Sequence, residues 1–320
     1  METIATPTMW ALFAVLVVIA TIADLLLMKQ QGAHKVSMKE ALQWTVIWVI
    51  AAMAFNLWMW WYMGGLGSDA AQAAIANQKA LEFLTGYLVE KSLAVDNIFV
   101  FLMIFSFFAV PLEFQKRALI IGVILAIVLR TIMILVGAWL LAKFHWLLYV
   151  FGLFLLITGI KMWWAADKKP DLDQNPVLIF LRKRMKISNN FDGEKFFTVQ
   201  NGVRFATPML LVVLMIGITD VIFAVDSIPA IFAITNDPFI VLTSNIFAIL
   251  GLRALYFVLA GMADKFYLLS YGLSIVLIFI GLKMLLIDVY KIPIMISLGF
   301  VALTIAGTMV LSVMRPKAAN

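Results

Sequence analysis

The chain has 320 residues, of which 64% are hydrophobic and 13% charged, with a net charge of +6 and no cysteine. Water-soluble domains run near half apolar and a quarter charged, so this composition excludes an ordinary soluble enzyme. The lack of thiols excludes disulfides, thiolate metal sites and thiol redox chemistry within the chain itself.

About nine apolar runs follow in chain order, near 8–28, 41–63, 81–109, 118–141, 145–164, 207–232, 239–262, 267–287 and 293–314. Each approaches the length of roughly 20 residues that carries a helix across a hydrocarbon core. Backbone deprived of water must bond within its own segment, so the expected fold is all-α and polytopic. Barrel strands would be about ten residues long and alternate in polarity, which these runs do not. The first two runs lie within 1–64, and an amino end without positive charge (Met1, Glu2) makes the first an anchor rather than a cleaved leader. Runs three to five fill 80–164. A long basic connection, 165–206, carries a predicted short amphipathic helix at Val177–Met185 and a hairpin at Phe196–Phe205, turning at Asn201-Gly202. Runs six to eight fill 207–287, and the ninth with a polar tail fills 288–320. With the amino terminus outside, inner connections hold sixteen Lys and Arg and outer ones three: Lys79, Lys143 and Lys291. The positive charge is therefore a topology signal that places the carboxyl end in the cytoplasm, and nucleic acid is not an expected partner.

The chain also repeats itself. Glu90-Lys91-Ser92-Leu93-Ala94-Val95-Asp96-Asn97-Ile98 in the third run matches Asp220-Val221-Ile222-Phe223-Ala224-Val225-Asp226-Ser227-Ile228 in the sixth. Leu129-Arg130 recurs as Leu252-Arg253, and Gly159-Ile160-Lys161-Met162 as Gly281-Leu282-Lys283-Met284; the offsets are 130, 123 and 122. Each unit spans three crossings. Because three is odd, the second unit enters the membrane from the opposite side. Inverted repeats of this kind are a hallmark of secondary transporters, with the binding site near the midplane.

Glu90, Lys91, Asp96, Asp220 and Asp226 all fall well inside apolar runs. A charge at a helix centre costs about 2.5–3.5 kcal/mol on insertion scales, so five such groups call for partners or a ligand. Antiparallel packing of the third and sixth helices would gather four carboxylates, with Asn97 and Ser227 as neutral oxygens beside them. Acids six residues apart diverge by roughly 120° on an ideal helix. A local unwinding near Pro229 is therefore expected to let them converge. Excess negative charge calls for a cation, and oxygen ligands without Cys or His suit Mn²⁺, Mg²⁺ or Ca²⁺. Crowded carboxylates raise one another's pKa, which makes exchange of metal for protons chemically reasonable. Lys91 reads either as the charge that balances the empty cluster or as a structural partner of Glu90. Arg130 and Arg253 read either as shaping the field of the pathway or as pinning helix ends.

At these segments the sequence resembles a known family. Phe83-Leu84-Thr85-Gly86-Tyr87-Leu88-Val89 leading into Glu90–Asn97, and Asp220–Ile228 continuing into Pro229-Ala230, are similar to the signatures of TerC integral membrane proteins, nearest the Alx-type branch. The resemblance extends over nearly the whole chain. It implies a bacterial inner-membrane protein of the LysE-like exporters that moves Mn²⁺ out of the cell. In such a protein Mn²⁺ is cargo, and no organic cofactor is implied. The family's acidic positions carry over as Glu90, Asp96, Asp220 and Asp226, with Asn97 and Ser227 beside them. The competing reading is a membrane scaffold or redox-linked accessory protein whose buried charges are structural. An intramembrane enzyme is disfavoured because no His-Glu-x-x-His zinc motif is present. The sequence specifies lipid as a partner and does not specify an oligomer.

Overall fold

A computed structural model describes residues 3–31, 36–67, 69–144, 146–165, 176–200, 202–260, 268–290 and 292–314. Among the described residues eleven helices and one hairpin run in the order α1 (Pro7–Gln31), α2 (Met38–Tyr62), α3 (Ala70–Phe107), α4 (Leu112–Lys143), α5 (Leu147–Ala165), α6 (Pro176–Arg184), β1 (Phe197–Gln200), β2 (Val203–Ala206), α7 (Pro208–Phe232), α8 (Pro238–Leu250), α9 (Leu252–Ala260), α10 (Leu269–Leu285) and α11 (Ile294–Met314). Helices lie over all the apolar runs. Among the described residues, five are long and apolar enough by length and composition to cross a membrane: α2, α4, α5, α7 and α11. The pair α8–α9, bent by 42°, makes a sixth if it is one broken span. Shorter apolar stretches occupy Pro7–Ala23 and Leu269–Leu285.

The surface is that of a protein solvated by lipid. α11 buries Ser297, Val301 and Ser312 and exposes Leu303, Val310, Val313 and Met314. In water that pattern would be inside out; against acyl chains it is expected, because the hydrophobic stripe need not face the protein. Val15, Val18, Ile19 and Ile22 of α1 are exposed in the same way.

Helix ends follow local chemistry. Ser37 caps α2 by accepting from the Glu40 amide, at 3.2 Å, and Asp69 caps α3 by accepting from Ala71 N, at 2.9 Å. That cap starts α3 well before the apolar run does. The alanine-rich stretch from Ala70 favours helix without being hydrophobic enough to read as a crossing. Asp237 caps α8, accepting from Phe239 N, and its two oxygens also accept from Thr3 Oγ1 and Ile4 N, each at 2.9 Å. The amino-terminal residues are thereby tied to the α7–α8 turn.

α8 is the centre of the bundle, with every one of its residues buried. α3, α4, α2 and α1 pack around it, and Phe13, Phe55, Phe83, Phe239 and Phe247 interlock where α1 and α2 meet α3 and α8. The remaining major pairings are α4 on α7 and α5 on α10. The α5–α10 crossing is the closest. A Cβ built on Gly281 would stand 2.7 Å from Leu156 N and 2.8 Å from Gly152 O, and one on Gly159 would stand 2.9 Å from Ser274 O. Only glycine lets the backbones approach so nearly.

The unwinding expected near Pro229 is absent. α7 runs unbroken to Phe232 with Pro229 inside it. The proline falls in the last turn, where its missing N–H and its clash with the preceding turn affect one hydrogen bond at a helix that is already ending. The break lies instead between α8 and α9, at Gly251. β1 and β2 pair antiparallel, Gln200 opposite Val203 and Phe197 opposite Ala206, which forms the hairpin expected there, with Gly202 at positive φ. The rest of the 165–206 connection includes residues 166–175, which lie outside the described residues.

Candidate cation site

On α3, Glu90 and Asn97 are seven residues apart. On α7, Asp220 and Ser227 have the same spacing. Seven residues are close to two helical turns, so in each helix an acid and a neutral oxygen share one face. α3 packs on α7, and both pack on their partners α8 and α4. Four different helices thus reach one point in the bundle.

Arg130 of α4 occupies that point and is 1% exposed. Its guanidinium is bound on every side by oxygen. Nη2 donates to Asp220 Oδ1 at 2.9 Å and Nε donates to Asp220 Oδ2 at 3.1 Å, a bidentate fork. Nη1 donates to Glu90 Oε1, to Ser227 Oγ at 3.2 Å and to Asn245 Oδ1 at 3.4 Å. Glu90, Asp220, Ser227 and Asn245 are all buried, Glu90 and Asn245 completely. Two carboxylates face one guanidinium, so the described side chains keep a net negative charge. Glu90 Oε2 and Asn245 Nδ2 are buried with no hydrogen-bond partner among the described residues. In a low-dielectric interior an unpartnered carboxylate oxygen is costly and marks a place where a cation would be favourable.

Of the residues singled out in the sequence, the structure brings together Glu90, Asp220, Ser227 and Arg130. Asn97 is buried on the same α3 face as Glu90. The side chains of Asp96 and Asp226 lie outside the described residues. Among the described residues no group of three or more His, Asp or Glu is placed to hold a metal. Arg253 is buried in the first turn of α9. Lys91 is not paired with its neighbour Glu90, because consecutive residues on a helix diverge by about 100°. Its ammonium donates to Ala248 O at 3.3 Å and lies 6.0 Å from the Tyr87 ring centroid. It reaches the carbonyl end of α8, at the α8–α9 bend, where a cation complements the helix dipole.

Sequence reasoning missed Asn245. Its signal was present: Thr243-Ser244-Asn245 interrupts an otherwise apolar run. At the downstream offset of 123 its counterpart is Gly122, so the repeat could not flag it.

A cavity of about 680 Å³ lies beyond the cluster, where α3 begins and α7 ends, lined by Thr3, Lys79, Glu82, Thr235 and Asp237 among others. Glu82 is buried there and accepts from Thr235 Oγ1 at 2.6 Å and Lys79 Nζ at 2.7 Å. It stands eight residues before Glu90 on α3, about 12 Å along the axis at 1.5 Å per residue. None of the ionic-cluster residues lines this cavity.

Comparison with known proteins agrees with this architecture. The profile of the family described as "Integral membrane protein TerC family" matches residues 75–320. The chain is 53% identical over 230 residues to the Salmonella typhi protein Alx, provisionally described as a membrane-bound redox modulator, covering 72% of this chain and 70% of that one. Identity to Alx of Escherichia coli (strain K12) is 51% over the same length, with the same shares. A Myxococcus xanthus protein described as an uncharacterized membrane protein is 45% identical over 227 residues, 71% of this chain and 67% of that one. No solved structure matches. The chain belongs to the TerC family of integral membrane proteins.

Proposed function

We propose that this chain is a divalent-cation transporter of the bacterial inner membrane that exports Mn²⁺ from the cytoplasm by alternating access. The observation that carries the reading is the buried oxygen cluster that three helices bring to one point, Glu90 from α3, Asp220 and Ser227 from α7 and Asn245 from α8. A cluster of this kind is expensive in a membrane unless it serves an ion pathway. The cation ligands are Glu90, Asp96, Asn97, Asp220, Asp226 and Ser227, with Lys91, Arg130 and Arg253 balancing charge. Oxygen donors without Cys or His suit Mn²⁺, Mg²⁺ or Ca²⁺. The choice of Mn²⁺ and of the outward direction rests on the resemblance of the signature segments to exporters. Protons are the natural exchanged ion. No enzymatic step and no organic cofactor enters this reading.

The arrangement of helices supports two inverted three-helix units in a chain of nine crossings. Exchanging α3 with α7, α4 with α8–α9, and α5 with α10 maps the pairing α3–α8 onto α7–α4 and maps α5–α10 onto itself. Residues obey the same exchange. At the offset of 122, Gly152 corresponds to Ser274 and Gly159 to Gly281; Gly152 packs on Gly281, and Gly159 packs on Ser274. With the amino terminus outside, the cavity at Glu82 is an outer vestibule, and none of the cluster residues lines it.

A second reading is favoured by one observation: Arg130 already pairs Glu90 and Asp220, as a structural network in a scaffold or accessory protein would. The redox description of the Alx relatives would fit such a role only through a partner's redox group, since this chain has no cysteine. Mn²⁺ flux in proteoliposomes separates the two readings. Wild type is compared with Glu90→Gln, Asp96→Asn and Asp226→Asn, with Ca²⁺ and Mg²⁺ as competitors and folding checked by size-exclusion profile. Flux that all three substitutions abolish is the expected result. Folded wild-type protein that neither binds nor moves any divalent ion would establish the structural network instead.

A further inference from the structure

The guanidinium of Arg130 has the surroundings of a bound cation. Its three nitrogens are met by Asp220 through both oxygens, by Glu90, by Ser227 Oγ and by Asn245 Oδ1, and by oxygen alone. These are the donor types a hard divalent ion takes. Resting on the transport reading above, we propose that Arg130 is a tethered cation that holds the cargo's place: it fills the oxygen cage when the carrier is empty and must withdraw before a divalent ion enters.

Three points lead there. A guanidinium and a divalent ion cannot share one buried cage, because like charges a few ångströms apart in a low-dielectric interior repel strongly. Arg130 cannot be cleared by deprotonation, since arginine stays charged in proteins, so it can be cleared only by movement. The division into two units also tells which contacts movement would break. Glu90 lies on α3, in the same three-helix unit as Arg130. Asp220 and Ser227 lie on α7 and Asn245 on α8, in the other unit. Rocking one unit against the other preserves the bond to Glu90 and opens the fork to Asp220. The side chain then works in both halves of a cycle. Displaced, it leaves the acids to the metal. Returned, it pairs both Glu90 and Asp220 and offsets one of their charges, so that the metal-free carrier does not reorient with those acids unpaired. Asn245 belongs to this device, because it contacts Arg130 and its amide nitrogen has no partner among the described residues.

The test is Mn²⁺ binding to the purified full-length protein in detergent, read from loss of the free-ion electron paramagnetic resonance signal during titration with MnCl₂. Wild type is compared with Arg130→Met and Arg130→Lys. A site closed by a tethered competitor binds with an apparent affinity reduced by the fraction of time it is open; for open populations of about 0.1–10%, Arg130→Met should bind Mn²⁺ roughly 10- to 1,000-fold more tightly. Lysine keeps the charge but loses the fork, so Arg130→Lys should fall between the two. That variant carries the test if Arg130→Met does not fold. In proteoliposomes, net efflux by the Arg130 variants should drop while Mn²⁺/Mn²⁺ exchange persists, because only the empty carrier's return needs the arginine. Wild type that binds Mn²⁺, beside folded Arg130 variants that bind it no more tightly, would overturn this proposal and leave the transport reading standing. Failure of wild type and variants alike to bind would remove both.

Discussion

Replacing Asp220 by asparagine strikes the ionic cluster where it is most strongly held. Asp220 accepts both arms of the Arg130 fork, at 2.9 and 3.1 Å, and is 2% exposed. Asparagine keeps the shape but offers one oxygen, and its amide N–H groups meet the guanidinium donor to donor. Removing one partner of a buried ion pair costs about 3–5 kcal/mol, a large share of the roughly 5–15 kcal/mol that holds a typical fold. Glu90→Gln should be milder. Glutamine can still accept from Nη1, so the change is from a charge-assisted to a neutral bond, about 1–2 kcal/mol. Equilibrium unfolding in mixed micelles at neutral pH, followed by near-ultraviolet circular dichroism, would rank the two variants. Adding Arg130→Met should cost less in the Asp220→Asn background than in wild type, since it then strands only Glu90 rather than both acids; a coupling energy of about 1–3 kcal/mol is expected. An Asp220→Asn protein within about 1 kcal/mol of wild type, or less affected than Glu90→Gln, would refute the placement of Asp220 as the principal anchor of Arg130.

The α5–α10 crossing predicts a contrast among glycines. Gly281→Ala would drive a methyl to 2.7 Å from Leu156 N and should destabilise by about 1–3 kcal/mol in the same unfolding assay, whereas Gly299→Ala and Gly307→Ala, with nothing within 4 Å, should be neutral or slightly stabilising. Asp237→Ala removes the α8 cap and both tethers of the amino-terminal segment; hydrogen exchange should accelerate at residues 3–8 and 238–241 while α5 and α10 remain protected, and unchanged exchange at residues 3–8 would show that Asp237 does not hold that segment.

Two pressures meet in the cluster. A cage satisfied by arginine is stable, and a cage that must bind and release an ion cannot be too stable. Among the described residues one carboxylate oxygen of Glu90 and one amide of Asn245 have no partner, and a network left incompletely satisfied carries a cost that a purely structural core would be expected to remove.

Much of this was legible in the sequence, because the membrane makes local composition decisive. Apolar runs of crossing length must become helices, the basic bias marks one set of connections, and acids inside such runs cannot be indifferent. The Asn-Gly pair in 165–206 likewise announced its hairpin through turn chemistry alone. What tertiary structure decided was which charge meets which. Lys91 is adjacent to Glu90 in the chain and reads either as its partner or as the charge balancing the cluster, yet a helix turns neighbours about 100° apart and sends Lys91 to the end of α8. Arg130, 40 residues from Glu90 and 90 from Asp220, joins them because α4 packs against α7 across the bundle. The same limit hid Asn245 and moved the break from Pro229 to Gly251. A residue's face on its helix and the helix opposite it are set by packing among units distant in sequence, which hydrophobicity within a window does not encode.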